Sequence, residues 1–242
     1  MTPALCKKIL GDFNASGWSK SVLSKYYQAP TKLYSSCFYL PICKADEAPY
    51  AYKVEDKVKP SMWAAIYRGK VKAPKTGKFR FVGLGDDLLA VRFGNKTVFD
   101  FGYSSLVSGK KLSLIAANRA ELKDDKGQKR QFYKYSTAGS AWNDELDGLC
   151  TGDVFEVKEG QTYPIELLIS ELPGGYFGFV LLIEDMDSPP TKKDGMGSPI
   201  FQLFRTNFAE PNTEELYKNM KVPGERRSNV PYDKDSLIWQ AV

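Results

Sequence analysis

The stretch Lys78-Phe79-Arg80-Phe81-Val82-Gly83-Leu84-Gly85-Asp86-Asp87-Leu88-Leu89-Ala90-Val91-Arg92-Phe93 decides how the chain is read. Its opening alternates with a period of two and puts Phe79 and Arg80 on opposite faces, as a half-buried strand requires. Gly83-Leu84-Gly85-Asp86-Asp87 interrupts that run, and residues 88–93 resume it. Gly94-Asn95-Lys96 then marks a turn, and Thr97-Val98-Phe99 begins a further strand. The expectation is a hairpin over residues 78–101 with two adjacent carboxylates, Asp86 and Asp87, in its turn.

Similar patterns lie on either side. Tyr34, Phe38 and Leu40 alternate with smaller or polar residues, and residues 63–71 and 153–157 have strand texture. Residues 163–170 and 176–184, separated by Leu172-Pro173-Gly174-Gly175, suggest a second hairpin. Residues 201–204 add one more strand. Short strands separated by turns, without alternating long helices, imply an all-β fold: an antiparallel β-sandwich or barrel. Residues 4–28 carry apolar positions at helical spacing (Leu5, Ile9, Leu10, then Trp18, Val22, Leu23) and predict one or two short helices. Beyond Asp185 the pattern lapses. Ser188-Pro189-Pro190 reads as a linker, Thr213–Met220 as a short helix, and Ser236-Leu237-Ile238-Trp239 as a segment packing back on the body. The organisation is therefore N-terminal helices and first strand over 1–59, in the same domain as a barrel core over 60–187, with a linker and an irregular C-terminal extension over 188–242.

Composition narrows the function. With 242 residues the chain can bury a large core unaided. The formal charge of +5, from 34 basic and 29 acidic residues, is small. The basic stretches at 70–80 and 126–134 are broken by turn residues and read as solvated loops, so nucleic acid is not expected as a partner. No apolar run approaches the roughly 20 residues of a membrane span. No export signal is visible, which leaves either the cytoplasm or an exported chain without its leader. The chain has no His, the commonest general base and zinc ligand. Cys6, Cys37, Cys43 and Cys150 form no C-x-x-C pair, arguing against zinc and thiol-redox motifs. Cys37 and Cys43 flank Pro41 and either bridge or stay free and buried. Nucleophile-elbow, phosphate-loop and complete dinucleotide motifs are all missing, so an enzyme is not expected.

Two places can carry binding chemistry. Asp86-Asp87, following two glycines at a strand end, offers hard oxygen ligands of the kind calcium takes. The same pair can instead accept hydrogen bonds from turn amides and bind nothing. The polar excursion over 117–150 holds Trp142 and Asn143, an indole that can stack on a sugar and an amide that can bond its hydroxyls. Trp142 can equally be a buried core residue.

Several signals in order resemble one family. Trp63-x3-Tyr67-x-Gly69 is followed by Ala73-Pro74-x-Thr76-Gly77-Lys78-Phe79-Arg80-Phe81, then Gly85-Asp86-Asp87, then Val91-Arg92-Phe93-Gly94-x3-Val98-Phe99-Asp100. Gly160-x2-Tyr163-Pro164-Ile165 and Glu171-x-Pro173-Gly174-Gly175 close the series. Together, over about residues 60–187, they resemble the protective-antigen domain family, a β-barrel module of toxins, glycosidases and flocculation adhesins. The resemblance implies a carbohydrate-binding or adhesion module at the cell surface, outside the cell or in its envelope. It implies calcium on Asp86 and Asp87, a cis peptide between them, and a glycan or surface polysaccharide as partner. Leu88 follows the pair where many members have Gly. Some members are structural, so the alternative is a structural or protein-interaction domain of a surface assembly, with a protein as partner.

Overall fold

In the computed structural model, which describes residues 1–106, 122–220 and 228–242, two antiparallel sheets enclose the main core. The strands are β1 (Tyr39–Lys44), β2 (Trp63–Lys72), β3 (Gly77–Asp86), β4 (Leu88–Phe93), β5 (Lys96–Asp100), β6 (Phe132–Tyr133), β7 (Leu149–Val157), β8 (Thr162–Glu171), β9 (Tyr176–Asp185) and β10 (Gln202–Leu203). One sheet runs β1-β9-β3-β7-β6, with β10 also paired to β9; the other runs β2-β8-β4-β5. Among the described residues no pairing joins the two sheets, so the all-β fold is a sandwich rather than a closed barrel.

This topology corrects the expected hairpins. β3 pairs with β7 and β9, whereas β4 pairs with β5 and β8. The Asp86-Asp87 turn therefore carries the chain from one sheet to the other. Residues 172–175 do the same between β8 and β9. Alternation identifies strands but is silent on which sheet each joins. β3 also runs through the glycines instead of stopping at Gly83. A Cβ at Gly83 would lie 2.3 Å from the Val180 carbonyl oxygen, so glycine lets β9 approach there. The β4–β5 connection is a true hairpin. Phe93 pairs with Lys96 across Gly94 (φ 57°) and Asn95 (φ 68°), the two positive φ values that a tight right-twisting turn requires.

β4 and β8 are apolar on both faces, and both faces are covered. Leu89, Val91, Leu167 and Ile169 join Phe79, Phe81, Leu84 and Val180 in the main core. Leu88, Ala90 and Leu168 belong to a second cluster with Cys6, Leu10 and Phe13 of helix α1 (Pro3–Ala15) and with Trp18. The spacing of Cys6, Leu10 and Phe13 gives α1 one apolar stripe. Thr2 caps it by accepting the Leu5 amide at 3.2 Å. Burying each large side chain in this way contributes roughly 1.5–3 kcal/mol. Helices α2 (Lys20–Leu23), α3 (Glu47–Ala51) and α4 (Thr213–Met220) are short. No described helix is long and apolar enough to cross a membrane.

The segment over 188–242 supplies Phe201, Leu203, Phe204, Val230 and Trp239 to the main core. Trp239 is fully buried, edge-on to Phe79 at 5.0 Å between ring centroids. The last residues extend the β2 edge, where the Lys72 amide donates to the Gln240 carbonyl at 2.8 Å and the Val242 amide to the Lys70 carbonyl at 3.0 Å. All four cysteines are free, and no Cys37–Cys43 bridge forms.

Candidate functional site

The site lies where two of the connections that cross between the sheets, β3–β4 and β8–β9, meet. Asp86 ends β3 and Asp87 begins the passage to β4, while Glu171 ends β8 just before the chain crosses back to β9. The Asp87 amide donates to the Ser170 carbonyl at 3.1 Å, and the Leu172 amide donates to Asp87 Oδ2 at 2.6 Å. These two bonds lock one crossover to the other. The Asp86–Asp87 peptide is cis, as the family resemblance implies.

A third segment clamps the turn. The Gly85 amide donates to the Phe101 carbonyl at 3.1 Å, and the Ser104 amide donates to the Asp87 carbonyl at 2.9 Å. Between them, a Cβ at Gly102 would stand 2.1 Å from the Gly85 oxygen and 2.3 Å from the Asp87 oxygen. Only glycine fits that contact.

One oxygen from each of Asp86, Asp87 and Glu171 lies within 4.8 Å of the others. Asp86 and Asp87 are partly exposed, whereas Glu171 is fully buried at 0%. Neither Glu171 carboxylate oxygen accepts a hydrogen bond from a described residue. Burial, followed by the charges of Asp87 and Asp86, pushes the Glu171 carboxyl up to about 9. Burial also raises Asp87, opposed by the Leu172 amide and by the charge of Lys7 on α1. Nearby, the Tyr103 hydroxyl donates to Glu145, and its phenol is held far above the usual range by burial, by that bond and by Asp86.

This donor set suits a hard divalent cation. Ligand oxygens on one calcium ion sit about 2.3–2.6 Å from it, so two of them are at most about 5 Å apart. The cluster satisfies that limit, its donors are all carboxylate oxygens, and its buried member has no protein partner. Among the described residues the cluster consists of carboxylates alone.

The other sequence candidates do not join it. Trp142 sits in a single π-helical turn (Ala141–Glu145), is fully buried in the main core and has no face for a sugar. Asn143 uses both ends of its amide on Tyr135: Nδ2 donates to the carbonyl at 2.8 Å, and Oδ1 accepts the backbone amide at 3.2 Å. The polar texture of residues 117–150 hides a packed segment in which Tyr135, Ala138, Trp142 and Leu146 are all core; its first part, 117–121, lies outside the described residues. Sequence reading missed Gly102 and the placement of Glu171 beside the Asp86-Asp87 turn. Glu171 stands at the end of an apolar strand just before Pro173-Gly174-Gly175, an acid where the run predicts a buried position, and that was the available signal.

No family model matches the chain, and no curated protein does either. Among solved structures it is similar to the PA14 domain of MpAFP antifreeze protein, at 12% identity and a TM-score of 0.39, covering 72% of this chain and 73% of that one. It is also similar to a PA14 sugar-binding domain from an RTX adhesin, at 12% identity and a TM-score of 0.39, covering 76% of this chain and 80% of that one.

Proposed function

We propose that the chain is a carbohydrate-binding or adhesion module in which Asp86 and Asp87 hold a calcium ion that bridges to sugar hydroxyls. The observation that carries this reading is the grouping of two partly exposed Asp carboxylates over a buried acid at the end of the sandwich. Calcium takes six to eight oxygens. A vicinal pair of sugar hydroxyls and water fill the positions that the protein leaves open. The reading is of a binding module rather than an enzyme. Its setting is outside the cell or in the cell envelope, where calcium is plentiful enough for a weak site.

The test is calorimetric titration with calcium, followed by a glycan array with calcium and with chelator. Uptake of calcium that Asp86→Asn or Asp87→Asn abolishes, with chelator-sensitive glycan binding, supports the proposal. A wild-type chain that takes up no calcium overturns the metal part, and a blank array in saturating calcium overturns the glycan part.

A second reading, a protein-interaction domain, is favoured by exposed aromatics. Tyr34 is 95% and Phe208 82% exposed, on two segments joined by the Cys37–Arg205 bridge. It predicts unchanged folding in chelator and no sugar affinity.

A further inference from the structure

We infer that Glu171 is a third direct ligand of this cation, and that the ion thereby clamps the β3–β4 crossover to the β8–β9 crossover. The inference rests on the metal reading above and adds to it a residue from the opposite crossover.

Three observations converge on Glu171. It lies within ligand-sharing distance of Asp86 and Asp87. It is fully buried, and neither carboxylate oxygen has a hydrogen-bond partner among the described residues. Such a group is costly unless something compensates it. Elsewhere the same protein supplies that compensation. Buried Asp153 accepts from Arg130 at 2.6 Å, Glu184 is paired with Arg80, and buried Asp185 accepts from Lys75 at 2.6 Å. Among the described residues, no ion pair to Glu171 is formed, and the nearby Lys7 charge acts on Asp87. Its surroundings are instead cleared: a Cβ at Gly174 would come within 2.8 Å of Glu171 Oε1. Glycine there leaves the carboxylate room to turn toward an ion.

A ligand role and a structural role predict opposite signs. A structural acid stabilises the metal-free fold, so neutralising it weakens that fold. An acid held for a cation burdens the metal-free fold, so neutralising it costs nothing there and is felt only in metal binding. The experiment is calcium titration of the full chain and of Glu171→Gln and Glu171→Asp, with thermal melts of all three in chelator. The expected result for Glu171→Gln is calcium affinity lower by about tenfold or more, with a melting temperature in chelator no lower than that of the wild type. Glu171→Asp, which keeps the charge but shortens its reach, falls between them in affinity. Wild-type calcium affinity in Glu171→Gln overturns the ligand role and leaves the Asp86-Asp87 reading standing. A marked drop in its chelator melting temperature without loss of affinity identifies a structural acid and likewise overturns it. A wild-type chain without calcium uptake overturns the metal reading itself.

Discussion

Strand β3 connects two differently built ends of the sandwich. At its start, Phe79 packs on Trp239 and Phe155, and the buried acids of neighbouring strands, Asp185, Glu184 and Asp153, each face a Lys or Arg. At its other end lie Asp86, Asp87 and the buried Glu171, whose carboxylate has no hydrogen-bond partner among the described residues. One end spends aromatic burial and paired charge on holding the sheets together. The other collects like charges, which repel unless a cation or proton intervenes. That difference separates residues that make the fold from residues available for binding.

The largest effect that sharpens the contrast lies at the aromatic end. Trp239→Ala removes a fully buried indole from the main core and is expected to lower stability by about 3–5 kcal/mol in urea denaturation. Calcium affinity per folded molecule stays unchanged. Next comes Arg130→Met, which leaves buried Asp153 with the Asp125 amide at 3.2 Å in place of its ion pair and is expected to cost about 3 kcal/mol. Glu171→Gln in chelator is expected to cost nothing. Equal losses in these last two variants would erase the distinction between the paired and unpaired acids.

The proposed calcium site predicts that saturating calcium acts at the acidic end alone. At a hundred times its dissociation constant it is expected to raise the stability of the wild type by about 2.7 kcal/mol and that of Asp87→Asn not at all. Asn retains an oxygen to accept the Leu172 amide, so the comparison isolates charge. The smallest effect is chemical. Burial, followed by the Asp87 charge, pushes the Cys6 thiol up to about 11, and Cys43 and Cys150 are more deeply buried still. A thiol reagent is therefore expected to modify partly exposed Cys37 first in the native protein, and all four cysteines only in denaturant.

The sequence displays the strands well because their alternation is local. Phe79, Phe81 and Val91 announce buried faces, and Thr213–Met220 forms the helix its pattern suggests. Sheet membership is not local. Nothing in residues 83–88 says that β4 leaves β3 for β8, and the expected hairpins fail for that reason. The site divides in the same way. Asp86 and Asp87 are adjacent in the chain and so could be read together. Glu171 reaches them only through the pairing of Leu88 with Ser170, and Gly102 only through its contact with the turn. The sequence left Trp142 open between a sugar platform and a core residue, because the packing that buries it comes from distant strands.

The most direct measurement is a crystal structure of the chain grown in millimolar calcium, with anomalous scattering recorded at the Asp86-Asp87 turn. The account predicts one ion about 2.3–2.6 Å from a carboxylate oxygen of each of Asp86, Asp87 and Glu171, with remaining positions open to water or sugar. An empty turn at saturating calcium, with Glu171 hydrogen-bonded to a protein donor, would contradict it.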